Sequence, residues 1–190
     1  MAHLIYVTNT SLDGYTEDRA GRFDWTAPDD AVFKFVTDIV RTTRTHLYGR
    51  RMYRSMMVWE TDPALAADSP LRRDFAETWQ AADKIVYSRT LETVATGKTR
   101  LERVFDPEAV RRLKRTVEQD LLIGGPELAA NAFRAGLIDE CHLFIHPILI
   151  GGGKRAFPEE VRLELELLDE RRFGNGVVFL RYRTGRGKAA

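Results

Sequence analysis

Apolar and polar residues follow two periods along this chain, one typical of strands and one typical of helices. Short apolar runs bounded by glycine, proline or charged residues predict buried strands. Segments with an apolar residue every three or four positions predict amphipathic helices, as in 28–40, where Val32, Val36 and Val40 belong to one apolar stripe. The predicted strands are 3–9, 45–48, 84–87, 121–123, 139–150, 163–167 and 177–183. The predicted helices are 28–40, 50–56, 70–82, 107–117 and 126–136.

Strands alternate with helices over the first two thirds of the chain, which predicts an α/β fold with a mostly parallel sheet. The last two strands differ, because Gly174-Asn175-Gly176 has the composition of a tight hairpin turn and predicts an antiparallel C-terminal edge. In the first of these strands, leucines at 163, 165 and 167 alternate with glutamates, which predicts one buried and one solvated face. Ligands of such sheets bind beyond the carboxyl ends of the strands.

The composition narrows the range of functions. Hydrophobic residues make up 44% and charged residues 30% of the chain, as in a soluble globular protein, and we predict one domain over 1–184 with a flexible tail at 185–190. The net charge of +1 gives no general attraction for nucleic acid or an anionic membrane. No apolar run approaches the ~20 residues that cross a bilayer. A single cysteine and an N-terminus without a signal peptide predict a cytoplasmic protein.

Three predicted strands end in residues that favour anions. These segments are Gly49-Arg50-Arg51, Ser88-Arg89-Thr90 and Gly124-Gly125-Pro126. Glycines let a ligand approach the backbone, the start of a helix offers free N–H groups, and arginine binds phosphate through paired hydrogen bonds. One strand–Gly-Gly–helix junction often has no ligand, but three such strand ends favour a polyphosphate ligand.

Other motifs are excluded by their spacing. Gly97-Lys98-Thr99 looks like the end of a phosphate-binding P-loop, but Glu92 occupies the place of the required first glycine. No G-x-G-x-x-G motif occurs. His142 and His146 would lie ~13 Å apart along a strand, too far for one metal ion. Cys141 has no identifiable general base and is interpreted as a buried apolar residue. We therefore expect no metal site and interpret the two histidines as strand residues at an edge or interface.

Six segments occur in a characteristic order: Ser-Leu-Asp-Gly at 11–14, Asp24-Trp25, Leu-Tyr-Gly-Arg-Arg-x-Tyr at 47–53, Ser-Arg-Thr-Leu at 88–91, Ile-Gly-Gly at 123–125 and Pro-Ile-Leu-Ile-Gly-Gly-Gly at 147–153. Together they resemble the dihydrofolate reductase-like superfamily, in particular the branch related to the C-terminal reductase domain of the bifunctional riboflavin-biosynthesis deaminase–reductase. The resemblance spans about Leu4 to Phe179. It implies a three-layer α/β/α domain around a twisted mixed sheet, NADPH as cofactor, a small-molecule substrate and a homodimer.

The same resemblance assigns residues to the cofactor. It places the adenosine 2′-phosphate beside 50–51 and 88–90, and the pyrophosphate on the N–H groups of 124–128. The loop at 10–27 would lie across the nicotinamide and the substrate. Met52 departs from the family, which usually has threonine there, so a hydroxyl that would contact phosphate is missing. The cofactor-binding residues implied are Gly14, Gly49, Arg50, Arg51, Ser88, Arg89, Thr90, Gly124, Gly125, Pro126, Glu127 and Leu128.

The resemblance also implies substrate contacts at Trp25 and Tyr53 and two catalytic aspartates. The run 25–30 fits the Trp-x-x-Pro-x-Asp run of dihydrofolate reductases, which gives Asp30 the place of the buried acid that binds and helps to protonate the substrate ring. We expect Asp30 to reach the pocket floor, where burial would let it hold a proton near neutral pH. Asp13 is predicted to organise the Ser-Leu-Asp-Gly turn. Alternatively, Asp29 and Asp30 only complement the helix dipole.

The leading hypothesis is an NADPH-dependent reductase of a small heteroaromatic or imine substrate that is pterin-, pyrimidine- or riboflavin-precursor-like. The alternative is a non-catalytic NADPH- or nucleotide-binding protein of the same fold. A phosphoryl transferase ranks third, because the sequence has neither a P-loop nor a metal-binding carboxylate cluster.

Overall fold

A computed structural model of the chain describes residues 1–185. All of the predicted flexible tail except Gly185 lies outside this range. The described strands are β1 (Leu4–Ser11), β2 (Tyr15–Glu17), β3 (Thr43–Gly49), β4 (Asp83–Tyr87), β5 (Thr99–Glu102), β6 (Asp120–Gly124), β7 (Glu140–His146), β8 (Lys154–Arg155), β9 (Leu165–Arg172) and β10 (Val178–Thr184). The helices are α1 (Asp30–Thr42), α2 (Arg50–Met56), α3 (Val58–Thr61), α4 (Pro63–Ala67), α5 (Pro70–Ala81), α6 (Pro107–Thr116) and α7 (Pro126–Arg134), and Asp24–Thr26 forms a single 3-10 turn.

Eight strands form one sheet in the order β5-β4-β3-β6-β1-β7-β10-β9. Strand β10 pairs antiparallel with β7 and β9, whereas the other pairings in this sheet are parallel. The predicted α/β class, mostly parallel with an antiparallel C-terminal hairpin, is therefore confirmed. Strands β2 and β8 form a separate two-stranded ladder.

Helices cover both faces of the sheet, because successive strand residues point to opposite sides and both sides are apolar in the central strands. Helices α6 and α7 pack on one face, where Val110 and Phe133 meet Leu4 and Tyr6 of β1. Helices α1 and α5 pack on the other. The core on that second face includes Val32, Val40, Tyr48, Phe75, Trp79, Val86, Leu122, Phe144 and Phe179. This is the predicted three-layer arrangement.

Helix α1 begins two residues later than the sequence predicts. The expected start was Pro28, but Asp29 caps the helix by accepting a hydrogen bond from the N–H of Val32 at 2.9 Å, so the first helical residue is Asp30. Helices α5 and α6 begin where predicted, each with a proline in the first turn behind a capping serine or aspartate.

Several predicted boundaries are corrected by the structure. Strand β7 ends at His146 rather than at residue 150, because Pro147 has no N–H for the ladder. Strand β9 continues to Arg172 and is not half-buried as predicted, since it lies at the sheet edge and Leu165 and Leu167 remain 43% and 47% exposed. The sequence-based prediction also missed β2, β5, β8, α3 and α4, which are too short to show a clear period.

A buried carboxylate joins the hairpin to the parallel part of the sheet. The side chain of Glu140, at the start of β7, is 4% exposed and accepts hydrogen bonds from Arg181 of β10 at 2.8 and 3.0 Å. It also lies 3.0 Å from Nε2 of His142. Burial alone would raise the pKa of Glu140, but the hydrogen bonds from Arg181 and His142 outweigh burial and lower the pKa to about 2.

Glu140→Gln should lower the free energy of unfolding at neutral pH by about 1–3 kcal/mol, because Arg181 and His142 lose their anionic partner. The pKa of Glu140 is about 2 in the folded chain and ordinarily 4.5. The stabilisation that Glu140 provides is therefore complete at pH values above its pKa in the unfolded chain. It disappears as the pH falls towards its pKa in the folded chain. Urea unfolding across this acid range should show a smaller acid-induced loss in the variant than in the wild type.

The matched control for this experiment is Glu166→Gln. Glu166 pairs with Arg183 on the same hairpin, but both side chains are exposed, so its removal should change stability little at any pH. An identical acid dependence in the wild type and in Glu140→Gln would contradict the prediction.

Candidate functional site

The carboxyl ends of three neighbouring strands meet at one edge of the sheet. In the parallel ladders, Gly49 at the end of β3 is level with Tyr87 of β4, and Tyr48 is level with Gly124 of β6. The segment 49–51 therefore lies between the segments that begin at residues 88 and 124. The three segments that the sequence singled out for anions are neighbours because of this strand order.

The turn after β4 lies against Arg50. The hydroxyl of Ser88 accepts hydrogen bonds from the N–H groups of Thr90 and Leu91 at 3.3 and 3.0 Å, which shapes the turn. A guanidinium nitrogen of Arg50 donates to the hydroxyl of Thr90 at 2.5 Å. Arg89 lies within the same turn, and both arginines are exposed. This corner of the molecule thus carries two accessible guanidinium groups.

The junction between β6 and α7 is built around two glycines. Gly125 has a φ of +91°, a left-handed conformation that glycine adopts without strain. A side-chain carbon on Gly124 would lie 3.1 Å from the ring of Tyr48 and 3.2 Å from the methyl group of Met52. Among the described residues, no side chain caps the N-terminus of α7. The N–H groups of its first turn can therefore bind an anion, with Met52 packed beside them in place of the usual threonine.

The loop after β1 is fastened to the segment that follows β7. The carboxylate of Asp13 accepts hydrogen bonds from the N–H groups of Ile150 and Gly151 at 3.2 and 2.8 Å. Hydrogen bonds from Ser11 and from these backbone groups lower the pKa of Asp13, which is therefore ionised at neutral pH. Its contacts are those of a residue that organises the loop. The carbonyl oxygen of Gly14 accepts a hydrogen bond from Ala156, and β2 pairs with β8.

Strand β2 and the start of β8 approach each other so closely that Gly153 is required. A side-chain carbon on Gly153 would lie 1.9 Å from the carbonyl oxygen of Glu17, and its φ of +142° also disfavours other residues. Beside this contact lies an open groove of about 470 Å³. The groove is lined by Glu17, Asp18, Arg19, Ala20, Gly21, Arg51, Gly153 and Lys154.

Charged side chains link this groove to α2 and α7. The two carboxylate oxygens of Glu17 each accept a hydrogen bond from Arg51 at 2.9 Å. The ammonium of Lys154 lies 3.2 Å from Glu17 and 2.6 Å from Glu127. The hydrogen bond from Lys154 lowers the pKa of Glu127. A chain of alternating charges thus runs from the start of α2 to the first turn of α7.

Trp25 packs against the end of β7. Its ring is 5.5 Å from the ring of His146 in an edge-to-face arrangement. Nε2 of His146 lies 3.0 Å from the side-chain oxygen of Asn9, and burial lowers the pKa of His146. His146 is therefore neutral at pH 7 and donates from Nε2 to Asn9. The indole N–H of Trp25 is buried and has no partner among the described residues.

Two predicted site residues differ in burial from what the sequence predicts. Tyr53, predicted as a substrate contact, is 1% exposed, and its hydroxyl is bonded to the N–H of Ala95 and the hydroxyl of Thr96 at 2.8 and 3.1 Å. It is a core residue. The predicted burial of Asp30 is also not observed. Residue 30 shares its side of α1 with the exposed Lys34 rather than with Val32, which faces the core.

The remaining predicted cofactor residues divide into two groups. One group lies along the carboxyl edge of the strands, where Ser88 and Gly124 are buried and the others are partly or fully exposed, and the other contacts protein side chains or the core. The first group is Gly49, Arg50, Ser88, Arg89, Thr90, Gly124, Gly125 and Pro126. The second group is Arg51, held by Glu17; Glu127, held by Lys154; and Leu128, which is buried in the core.

Four residues lie at the site although the sequence did not point to them. Lys154 follows three glycines that interrupt an apolar segment, and this interruption is the signal in the sequence that could have pointed to it. Glu17 and Asn9 gave no signal, because their partners are distant in the chain. His146 was interpreted as an edge or interface residue, but β7 is an interior strand and the ring lies beside Trp25.

Two classes of feature are absent from residues 1–185. No three histidine, cysteine, aspartate or glutamate side chains there are arranged to hold a metal ion. None of the helices is both long enough and apolar enough to cross a membrane.

The chain is similar to known proteins over most of its length. Residues 2–179 match the family model described as RibD C-terminal domain. A curated relative, the uncharacterized protein YyaP of Bacillus subtilis strain 168, is 31% identical over 176 residues, which cover 90% of this chain and 89% of the relative.

Solved structures show the same fold. A Shewanella sp. PV-4 protein assigned to riboflavin biosynthesis superposes with a TM-score of 0.75 at 25% identity, covering 98% of this chain and 100% of that chain. The diaminohydroxyphosphoribosylaminopyrimidine deaminase/5-amino-6-(5-phosphoribosylamino)uracil reductase of Thermotoga maritima gives 0.64 at 16% identity, and the match covers 97% of this chain but 57% of that chain. Dihydrofolate reductase of Enterococcus faecalis, complexed with NADP(H), gives 0.62 at 15% identity and covers 96% of each chain. At such low identity, the last two show the fold alone.

Proposed function

The chain belongs to the RibD C-terminal domain family, and from this premise we propose that it is an NADPH-dependent reductase that transfers a hydride to a small heteroaromatic or imine substrate. The substrate would be pterin-, pyrimidine- or riboflavin-precursor-like. One observation carries the proposal: Arg50, the turn at 88–90 and the uncapped start of α7 lie side by side at the carboxyl edge of the sheet.

This row of groups suits a dinucleotide with an additional phosphate. Arg50 and Arg89 are exposed next to each other, and guanidinium groups bind phosphate through two parallel hydrogen bonds. The free N–H groups of α7 and the left-handed Gly125 suit a pyrophosphate that approaches the backbone closely. The names of two fold neighbours support the proposal, since one is a uracil reductase and the other a dihydrofolate reductase complexed with NADP(H).

NADPH would supply the hydride, and the residues of the chain would orient the acceptor and exclude water from it. The Trp25 turn covers the carboxyl end of β7. Its buried indole N–H, unpaired among the described residues, is a donor for a ring nitrogen or oxygen of the substrate. Asp13 holds the loop in place through the backbone of 150–151.

Asp30 is the proposed acid of the reaction. Its carboxylate is exposed at the first residue of α1, four residues after the 3-10 turn that contains Trp25 ends. A substrate that covers the start of α1 would exclude water from Asp30, which could then deliver a proton to the substrate ring.

A non-catalytic NADPH-binding protein of the same fold is the alternative. The exposure of Asp30 and the burial of Tyr53 favour it, because both leave fewer polar groups to hold a substrate. Both functions require the cofactor to bind, but only the reductase oxidises it.

NADPH should bind at least ~10-fold more tightly than NADH, a difference of ~1.4 kcal/mol, because the additional phosphate meets two guanidinium groups. Arg50→Ala combined with Arg89→Ala should remove most of that difference, as measured by calorimetric titration of both cofactors. The control is Arg44→Ala with Arg115→Ala, which removes two exposed arginines outside this corner, the first of them at the amino end of β3. Equal dissociation constants for NADPH and NADH in the unmodified protein would exclude the cofactor assignment.

Steady-state NADPH oxidation with a panel of pterins, pyrimidines, flavin precursors and quinones tests the reductase itself. With the substrate that is turned over, Asp30→Asn should lower kcat by ~10²-fold and leave the dissociation constant of NADPH unchanged. Asp38→Asn, which alters an exposed aspartate on the same helix, is the control and should keep full turnover. Full activity in Asp30→Asn would reject the acid assignment, and tight NADPH binding without oxidation would favour the non-catalytic alternative.

The proposed assembly is a homodimer formed through the C-terminal strands. On the face of the sheet that carries α6 and α7, the strands β10 and β9 present a partly exposed apolar stripe beyond those helices. Leu180 and Tyr182 of β10 are half-buried there, and Leu167, the partner of Tyr182 in the ladder, is 47% exposed. A second copy related by a two-fold axis would cover this stripe with the same stripe.

Light scattering at micromolar concentration should give twice the 21.7 kDa mass of one chain. Leu167→Glu should give the mass of a single chain, because a charge within the stripe would be buried on association. Leu149→Glu changes an apolar residue that is 70% exposed elsewhere and should leave the mass unchanged. A single-chain mass for the unmodified protein would refute the dimer.

A further inference from the structure

Two cationic side chains converge on one carboxylate beside the proposed cofactor site. We propose that Arg51 and Lys154 form a binding site for the pyrophosphate of the cofactor, and that the carboxylate of Glu17 occupies this site in the free protein in place of a phosphate. This inference rests on the proposed function, because it takes NADPH as the ligand.

The contacts to Glu17 have the geometry of an occupied anion site. Arg51 donates to both carboxylate oxygens at 2.9 Å, and Lys154 lies 3.2 Å from one of them. Three donors from two cations therefore surround one anionic group. Arginine forks bind carboxylate and phosphate with the same paired geometry, so a phosphate can replace the carboxylate without rearranging the donors.

The site adjoins the start of α7. Lys154 lies 2.6 Å from the carboxylate of Glu127, in the first turn of that helix. The ammonium of Lys154 is thus held next to the uncapped N–H groups of the helix by one side chain, that of Glu127. A pyrophosphate bound at the helix start has Lys154 as its neighbouring cation, whereas Arg89 follows β4, on the other side of β3 from β6 and α7, and Arg50 donates to Thr90 on that side.

The exposure of the four charged side chains argues that these contacts can exchange. Glu17 and Lys154 are 15% and 23% exposed, but Arg51 and Glu127 are 56% and 75% exposed. Ion pairs with a solvent-exposed partner contribute little to stability, so a polyphosphate ligand can compete for their cations. The groove lining also favours an anion once Glu17 is displaced, because it then carries three cationic side chains, Arg19, Arg51 and Lys154, and one acidic side chain, Asp18. Glu127 remains beside Lys154 but is 75% exposed.

The test measures NADPH and NADH dissociation constants for Lys154→Met and Glu17→Gln. Because both cofactors carry the pyrophosphate, Lys154→Met should raise both dissociation constants about 10-fold and leave the ratio of the two constants unchanged. Glu17→Gln should lower both dissociation constants by about 3-fold or more, because the side chain that competes with the phosphate for Arg51 and Lys154 loses its charge. Arg155→Met is the matched control on the same short strand. Arg155 interacts with Glu159 and with the ring of Tyr15, and its loss should change neither constant.

Lys154→Arg keeps the charge and should bind both cofactors within about 3-fold of the wild type, which separates loss of the cation from loss of structure. Thermal unfolding of each variant checks that the fold is retained. Unchanged constants in Lys154→Met, or weaker binding in Glu17→Gln, would overturn the inference. Inorganic pyrophosphate should likewise bind more weakly to Lys154→Met, and equal binding would also overturn it. An unmodified protein that binds pyrophosphate but neither cofactor would refute the proposed function instead.

Discussion

The parallel pairing of β4, β3 and β6 is the interaction on which the candidate site depends. Their side chains are buried on both faces of the sheet, so a shift of one residue would turn apolar side chains to the wrong layer. The core therefore fixes the register, and the register sets the ends of the strands level. Arg50, the 88–90 turn and Gly125 are neighbours for this reason, although little contact among their own side chains holds them together.

Charged groups serve opposite purposes at the two ends of the sheet. At the amino end, the carboxylate of Glu140 is 4% exposed and is bonded to Arg181 and to the buried His142, so this network is a permanent part of the fold. At the carboxyl end, the carboxylate of Glu17 pairs with both Arg51 and Lys154 in a groove that is open to water. Because Glu140 is buried, breaking its contacts costs much free energy. Because the contacts of Glu17 are exposed to water, another anion can replace Glu17.

The loop after β1 connects these charges to the covering Trp25 turn. Asp13 and the β2–β8 ladder fasten it to the segment after β7, and Gly153 allows the two backbones to touch. A ligand that displaces Glu17 from Arg51 acts on the same loop that carries Trp25. The groups proposed for the pyrophosphate and those proposed for the substrate are thus joined through one backbone segment.

The sequence by itself determined the alternation of strands and helices, the C-terminal hairpin and the three glycine- or arginine-bearing strand ends. These features depend on local periodicity and on the backbone preferences of glycine and proline. The family resemblance supplied the three-layer fold. Only the tertiary structure decided how individual side chains are used: it buried Tyr53, left Asp30 exposed and paired Arg51 with Glu17. Each outcome depends on partners or on packing elsewhere in the chain, which local spacing does not encode.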